Sequence, residues 1–326
     1  MNPTPESTGL SPVRLAVSAC LLGRPTRYDG TAKPAAHLAR VFDPVVEWVR
    51  VCPEVECGMG VPREPLRLEG DTASPRMVVI RTGVDWTDRM TCWARCRAAE
   101  LVAEGLWGIV LKARSPSCGL RGLSVHRKGE RPHRRGVGLF ARAMVERFPL
   151  VPVEEAERLA PPNARNHFVR RMFALDRYRA FLAGGWGRGR LVAFHTDEKM
   201  SLLAHSPATY REMGRLVANA KALPPRRLRA RYGVLMLEAL RHRATPRKHA
   251  NVLQHLAGFL KKHLAPDEKA ALLKAIEGHR CGDVPLDVPR DLLVHHARAH
   301  GQAYLLRQTY LNPDRRMRRL LAVPDG

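Results

Sequence analysis

Near residue 163 the hydrophobic pattern of the chain changes period, and that change restricts the fold more than any other feature. Upstream, short apolar runs alternate with helical patterns. They are LAVSACL (15–21), a helix and a strand within VFDPVVEWVRVCPE (41–54), MVVIRTG (77–83), a helical stretch over 87–106, GIVLKA (108–113), a second helical stretch from Gly136 to Arg147, and LVPV (150–153). Apolar runs of this length bounded by turn residues read as buried strands. Strands separated by helices imply an α/β domain with a mainly parallel sheet and helices on its faces. In the 87–106 helix, Trp93, Ala94, Leu101 and Val102 fall on inward positions. Downstream, apolar residues recur at three- and four-residue spacing through 166–183, 188–205, 207–221, 226–243, 246–264 and 267–279. That half reads as all-α, with Pro207, Pro224, Pro225, Pro246 and Pro266 at the joins and Asp267 as an N-cap. PPNAR (161–165) reads as the linker, which gives an α/β domain over 12–160 and a helical domain over 163–320.

Charge and sulfur divide along the same line. The chain has 326 residues, 55 Lys and Arg against 31 Asp and Glu, a net +24. Residues 1–162 hold 24 basic against 18 acidic side chains (+6), and residues 163–326 hold 31 against 13 (+18). Six of the seven cysteines lie in the first half. A strongly basic domain attracts polyanions and gains from counterion release at phosphates, although a solvated arginine-rich surface has the same composition. With 45% hydrophobic and 26% charged residues the chain is globular rather than disordered. It has no apolar run of membrane-spanning length. MNPTPESTGLSPVR lacks the basic start and apolar stretch of a signal peptide, and seven dispersed cysteines suit a reducing compartment, so a cytoplasmic protein is expected.

Three cysteines occupy loop signatures at strand ends. Cys20 closes a strand in SACLLG and precedes RYDG (27–30), Cys52 opens CPE (52–54), and Cys118 ends SPSCG (115–119). Open α/β sheets place their sites beyond the C-terminal ends of strands, so the three thiols are expected at one sheet edge. Three converging thiolates suit an iron–sulfur cluster with one iron left open, or a zinc site lacking a fourth ligand. No C-x-x-C occurs, which excludes a zinc ribbon or a ferredoxin-type run. Cys57 is an alternative second ligand, Cys92 and Cys96 on one helix read as core residues over a metal half-site, and Cys281 reads as structural. Beside the three loops stand Glu54, Ser115, Ser117, Lys112, Arg114 and Asp29. A carboxylate there can act as general base for water and a serine can orient a substrate. Asp29 and Ser115 can equally cap turns.

The segments VSACLLGRPTRYDG, VCPEVECGMGVPRE and LKARSPSCG, in this order, resemble the thiouracil desulfidase (TudS-like) family over about residues 12–155. In the second half, NHFVRRMFA, LVAFHTDEKMSLLAHSPATYREMGRLVANA, KHANVLQHLAGFLKK and VPLDVPRDLLVHHARAHGQAYLLRQTYLNP resemble the YbgA-like domain. The fusion resembles the RudS-type proteins, which are linked to removal of sulfur from 4-thiouridine in tRNA. The resemblance implies a 4Fe–4S cluster on Cys20, Cys52 and Cys118 with one open iron, Glu54 as catalytic glutamate and Ser115 as catalytic serine. Cys57 departs from the Gly-rich stretch common at that place in relatives, and Cys52 is favoured as the ligand. The implied reaction is a non-redox hydrolytic attack at C4 with the sulfur taken by the open iron. Lys112, Arg114, Ser117 and Asp29 are then the expected substrate contacts.

The basic half fits the same reading, since a free base carries no phosphate. Arg226, Arg227, Arg229, Arg231, Arg241, Arg243, Arg247 and Lys248 lie in a segment whose single acid is Glu238. Such a stripe can follow an RNA backbone with the target nucleotide flipped into the cluster pocket. The competing readings are a desulfidase of free 2-thiouracil or thionucleosides, a non-catalytic iron–sulfur nucleic-acid-binding protein, and a zinc-bound hydrolytic site. FHTDEK and KHANVLQH bring His195, His205, His249 and His255, read as hydrogen-bonded helix residues or RNA contacts.

Overall fold

The computed structural model describes residues 12–323; residues 1–11, on which the expectation about a leader rests, lie outside the described residues. The chain forms two compact units, one running to Asp176 and resuming at Arg316, the other comprising Arg177–Arg315.

The first unit contains β1 (Val13–Ser18), α1 (Ala36–Phe42), β2 (Val46–Val51), α2 (Pro53–Glu56), β3 (Leu66–Gly70), β4 (Pro75–Val79), α3 (Thr87–Glu100), β5 (Gly108–Leu111), β6 (Leu123–His126), β7 (His133–Gly136), α4 (Leu139–Arg147), β8 (Val153–Glu155) and most of α5 (Pro162–Ala183). A four-stranded parallel sheet has the order β2-β1-β5-β8. All of β5 and all of β1 except Arg14 are buried, as expected of a parallel strand covered on both faces. Alternation along β1 sends Leu15 and Val17 into a core with Phe42, Phe168 and Phe173, and Ala16 into another with Met90, Ala94, Phe140 and Met144.

A second sheet, β4-β3-β6-β7, is mixed: β3 pairs antiparallel with β4 and parallel with β6, and β6 pairs antiparallel with β7. The sequence pattern gives only β4 of this sheet. β7 reads His-Arg-Arg-Gly with three exposed residues, so it carries no apolar alternation to detect. LVPV is also displaced, because the strand begins at Val153, where pairing with Ile109 starts. Ala94 and Leu101 are fully buried and Trp93 packs at 5.6 Å against Phe140, but Val102 is exposed because α3 ends at Glu100. Cys92 and Cys96 are exposed rather than in the core, as is Cys281.

PPNAR is not a linker. Pro162 starts α5, whose first half inserts Phe168, Val169, Met172 and Phe173 into the α/β core before the chain leaves that unit after Asp176.

The second unit is helical: the end of α5, then α6 (Arg188–His205), α7 (Pro207–Ala218), α8 (Pro225–Arg241), α9 (Pro246–Ala257), α10 (Pro266–Cys281), α11 (Asp287–Ala299) and α12 (Ala303–Arg307). Four of these begin with proline, whose missing N–H costs nothing at a helix start. Ser206 and Thr245 cap the next helices through Thr209 N (3.3 Å) and Lys248 N (3.4 Å). Before α10 the N-cap is Ala265, and Asp267 lies in the first turn. The core gathers Met200, Leu253, Leu256, Leu272, Ile276, Leu293 and Leu305. α13 (Arg315–Leu321) then returns Met317 and Leu320 to the α/β core. Among the described residues no helix is long and apolar enough to cross a membrane.

Candidate active site

Three adjacent parallel strands end at the same sheet edge, and each is followed by a cysteine. Cys20 sits in the 3-10 turn after β1, Cys52 follows β2 and N-caps α2, and Cys118 lies in the loop after β5. All three line a cavity of about 220 Å³ together with Thr26, Glu54, Arg63, Lys112, Arg114, Ser115 and Ser117. Cys57 does not line it; its thiol is buried in the core and donates to the Glu54 carbonyl at 3.4 Å.

The Ser115–Cys118 loop is held from behind. Leu139 and Ala141 at the start of α4 donate their N–H groups to Pro116 O (3.2 Å) and Ser117 O (3.1 Å), and Gly138 N donates to Gly119 O (2.7 Å). A Cβ on Gly138 would lie 2.4 Å from Ser117 O, so only glycine admits this approach. Arg114, at the head of the loop, has φ of 59° and is the one described non-glycine residue with positive φ, a conformation costing about 1–2 kcal/mol.

Glu54 is the hub of the polar groups. Its Oε1 accepts from Ser117 Oγ at 2.6 Å and Ser115 Oγ at 3.1 Å, and the two hydroxyls lie 2.9 Å apart. Its Oε2 accepts from Arg63 Nε at 2.9 Å and also meets Arg63 Nη2. Arg63 further donates to Thr26 O (3.0 Å) and Gly60 O (3.2 Å), fixing the guanidinium at four points. Both side chains of this ion pair are largely buried, at 9% and 13% exposed. Arg63 escapes sequence reasoning because a lone arginine in PREPL gives no sign of a partner nine residues away. The exposed residues of RYDG behave differently. The Asp29 carboxylate accepts from Thr31 N (3.1 Å) and Thr31 Oγ1 (2.6 Å), pairs with Arg27, and does not line the cavity. It holds a turn, and the Thr31 hydroxyl bond is the first cause of its lowered pKa.

Burial raises the pKa of all three cavity thiols, that of Cys118 to about 12, with nearby Glu54 adding to the shift. Lys112 opposes it at Cys20, while its backbone N–H bonds Ser18 Oγ at 3.0 Å. Protonated buried thiols become good ligands only when a metal displaces their protons. A single tetrahedral Zn²⁺ would hold its sulfurs about 3.8 Å apart. The one His, Cys, Asp and Glu group of three with ligand atoms all within 4.8 Å among the described residues lies elsewhere, so these thiols stand wider than one ion requires. A cluster whose irons each take one thiolate fits the donor set better.

The basic residues lie in the helical unit. Arg226, Arg227, Arg229, Arg241, Arg243 and Arg247 are exposed. Arg231 pairs with Glu212 at 2.8 Å. Lys248 is half-buried, and its Nζ donates to His205 O (2.7 Å) and Arg243 O (3.1 Å), so it closes the end of α6 instead of facing outward. His195 bonds Tyr232 Oη, His205 bonds the His242 carbonyl and His249 bonds Tyr310 Oη, all inside the unit.

Residues 15–156 match the family model of 2-thiouracil desulfurase, and residues 199–314 match that of a protein of unknown function, DUF1722. The chain is 34% identical over 143 residues to the uncharacterized protein YbgA of Escherichia coli (strain K12), covering 43% of this chain and 83% of that one. It is 30% identical over 110 residues to the uncharacterized protein YbbK of Bacillus subtilis (strain 168), covering 32% and 72%. Among solved structures it is similar to the [4Fe-4S]-dependent thiouracil desulfidase TudS, at 29% identity and a TM-score of 0.37, over 45% of this chain and 93% of that one. The chain thus belongs to the family of YbgA, and its residues 15–156 match that of 2-thiouracil desulfurase.

Proposed function

We propose that this protein is an iron–sulfur-dependent desulfidase that exchanges the sulfur of 4-thiouridine in tRNA for oxygen, releasing sulfide. The observation that carries the reading is the Glu54 carboxylate, buried against two serines and one arginine in the cavity that three cysteines line. Cys20, Cys52 and Cys118 would hold the cluster, which when bound supplies a Lewis-acidic iron with a free position for the thiocarbonyl sulfur.

The chain's own groups account for the remaining chemistry. Arg63 occupies Oε2 of Glu54, which leaves Oε1 to the serine side of the cavity. A water entering there donates to Oε1, and its proton passes to the carboxylate as the oxygen attacks C4. Ser115 and Ser117 donate to that same oxygen, so they fix its direction and can hold the water or the pyrimidine edge. Lys112 and Arg114 bring positive charge to the cavity wall, where negative charge develops on the ring. Thiocarbonyl and water become carbonyl and hydrogen sulfide, with no electron gained or lost.

The tRNA part rests on the six exposed arginines that run from α8 through the connection to the start of α9, whose charge suits a phosphate backbone. A second reading, free 2-thiouracil as substrate, is favoured by the description of the matching family. The test is anaerobic: the reconstituted chain is incubated with 4-thiouridine tRNA, 4-thiouridine nucleoside and 2-thiouracil, following thiocarbonyl absorbance and released sulfide. Fast loss on tRNA, absent in Cys118→Ala and slowed with a shallower salt dependence by reversing Arg226, Arg227 and Arg229, supports the reading. Loss on free compounds alone moves the function to small-molecule salvage. No loss anywhere with a cluster present sinks the enzyme reading.

A further inference from the structure

The helical unit contains a second group of donors that the desulfidase reading leaves unused. His296 and His300 stand four residues apart at the end of α11, so their rings leave the same helix face. Glu268 meets them from the first turn of α10. One ligand atom from each of the three lies within 4.8 Å of the others, the only such group among the described residues.

His296 Nδ1 lies 3.9 Å from Glu268 Oε1, too far for a hydrogen bond. An ion bound at about 2.0–2.2 Å holds two ligand atoms about 3.4 Å apart in tetrahedral geometry and at most about 4.3 Å apart. The gap is therefore the width of a bridging cation, and drawing in the third ligand from within 4.8 Å needs a side-chain adjustment of at most about 1.4 Å. Neither imidazole makes a hydrogen bond among the described residues, although His296 is buried. Helix capping explains Glu268 alone: its Oε2 accepts Ala265 N at 2.9 Å, which leaves Oε1 turned to His296.

The surroundings favour a metal. The end of α11 carries the negative pole of its helix dipole, which stabilises a cation. The His263 ring packs at a tilt of 33° against His300 with centroids 5.5 Å apart, and Gln302 Nε2 bridges His263 Nε2 (3.1 Å) and the His300 carbonyl (3.3 Å). Two imidazoles and a carboxylate match the preferences of Zn²⁺ among first-row divalent ions.

We propose that Glu268, His296 and His300 bind a divalent transition-metal ion of the Zn²⁺ type, which fastens the start of α10 to the end of α11 and keeps a fourth position for water. The site is independent of the sulfur chemistry and stands or falls separately. The test uses the full chain with its iron–sulfur centre loaded, so that the cavity thiols are occupied, and titrates it with Zn²⁺ and Co²⁺. His300→Ala and Glu268→Gln serve as variants because the buried His296 stays in place and glutamine can still accept from Ala265. Wild type should take up one further ion, show Co²⁺ visible bands without thiolate charge transfer, and gain protection of His300 from diethyl pyrocarbonate. Each variant should lose affinity at least about tenfold. Equal affinity in wild type and both variants, or unchanged His300 modification in the presence of Zn²⁺, would overturn the proposal.

Discussion

Replacing Arg63 with methionine keeps much of the side-chain volume but removes every donor that holds Glu54. The hydrogen bond from Nε (2.9 Å) and the contact of Nη2 disappear, as do the bonds to Thr26 O and Gly60 O. An exposed ion pair would be worth about 0.2–1 kcal/mol. Here both partners are nearly buried, and stripping one partner from a buried pair costs about 3–5 kcal/mol because the other charge stays behind. For a unit of this size that lowers Tm by roughly 10 °C. Glu54→Gln alone strands the guanidinium in the same way. The double variant, with neither charge, should cost less than the sum of the singles by at least about 1.5 kcal/mol. Calorimetry of all four chains gives the stability cycle, and turnover of each shows whether Arg63→Met lowers kcat with little effect on KM, as expected of a positioning residue. An Arg63→Met cost below about 1 kcal/mol, additive with Glu54→Gln, would refute the claim that this pair organises the site.

Three further outcomes follow from the structure. Ser117→Ala should lower kcat by about tenfold or more, at least as much as Ser115→Ala, since Ser117 makes the shorter bond to Glu54; steady-state kinetics with a much larger loss in Ser115→Ala would restore the serine named by the family resemblance. Cys57→Ala should retain iron after anaerobic reconstitution while Cys52→Ala loses it, and the reverse pattern in iron analysis would exchange their roles. Burial, with Lys199 adding to it, depresses the His195 pKa to about 4 from an ordinary 6.5. Between those values the unfolded chain binds a proton that the folded chain refuses, so stability falls as pH drops from 6.5 to 4, by about 3 kcal/mol in all. Urea unfolding at pH 7 and pH 4 should show that loss in wild type and a smaller one in His195→Asn; equal losses would refute it.

The strand ends that carry Cys20, Cys52 and Cys118 were legible because parallel buried strands are near-continuous apolar runs and each is followed by a polar loop. Their convergence followed from the parallel order, in which β2, β1 and β5 are neighbours. The second sheet was not legible, since β6 and β7 are four residues each and β7 is mostly arginine and histidine facing solvent. The extent of α5 was hidden by Pro161 and Pro162, which look like a linker but start a helix. Charge told least about individual side chains. Eight basic residues in one stretch read alike, yet Arg231 is paired and Lys248 closes a helix end. The Glu268, His296 and His300 group joins residues from separate helices, and only tertiary structure brings them near one another.

The return of α13 to the first unit bears on how the chain is made. Leu15, Phe42 and Phe168 belong to the cluster that Met317 and Leu320 complete. During synthesis the α/β sheet therefore waits, with part of that face uncovered, while the ribosome translates the whole of the intervening helical unit. A nascent chain arrested between residues 177 and 315 would display apolar surface that no later segment is present to cover, the state in which partly made proteins engage chaperones.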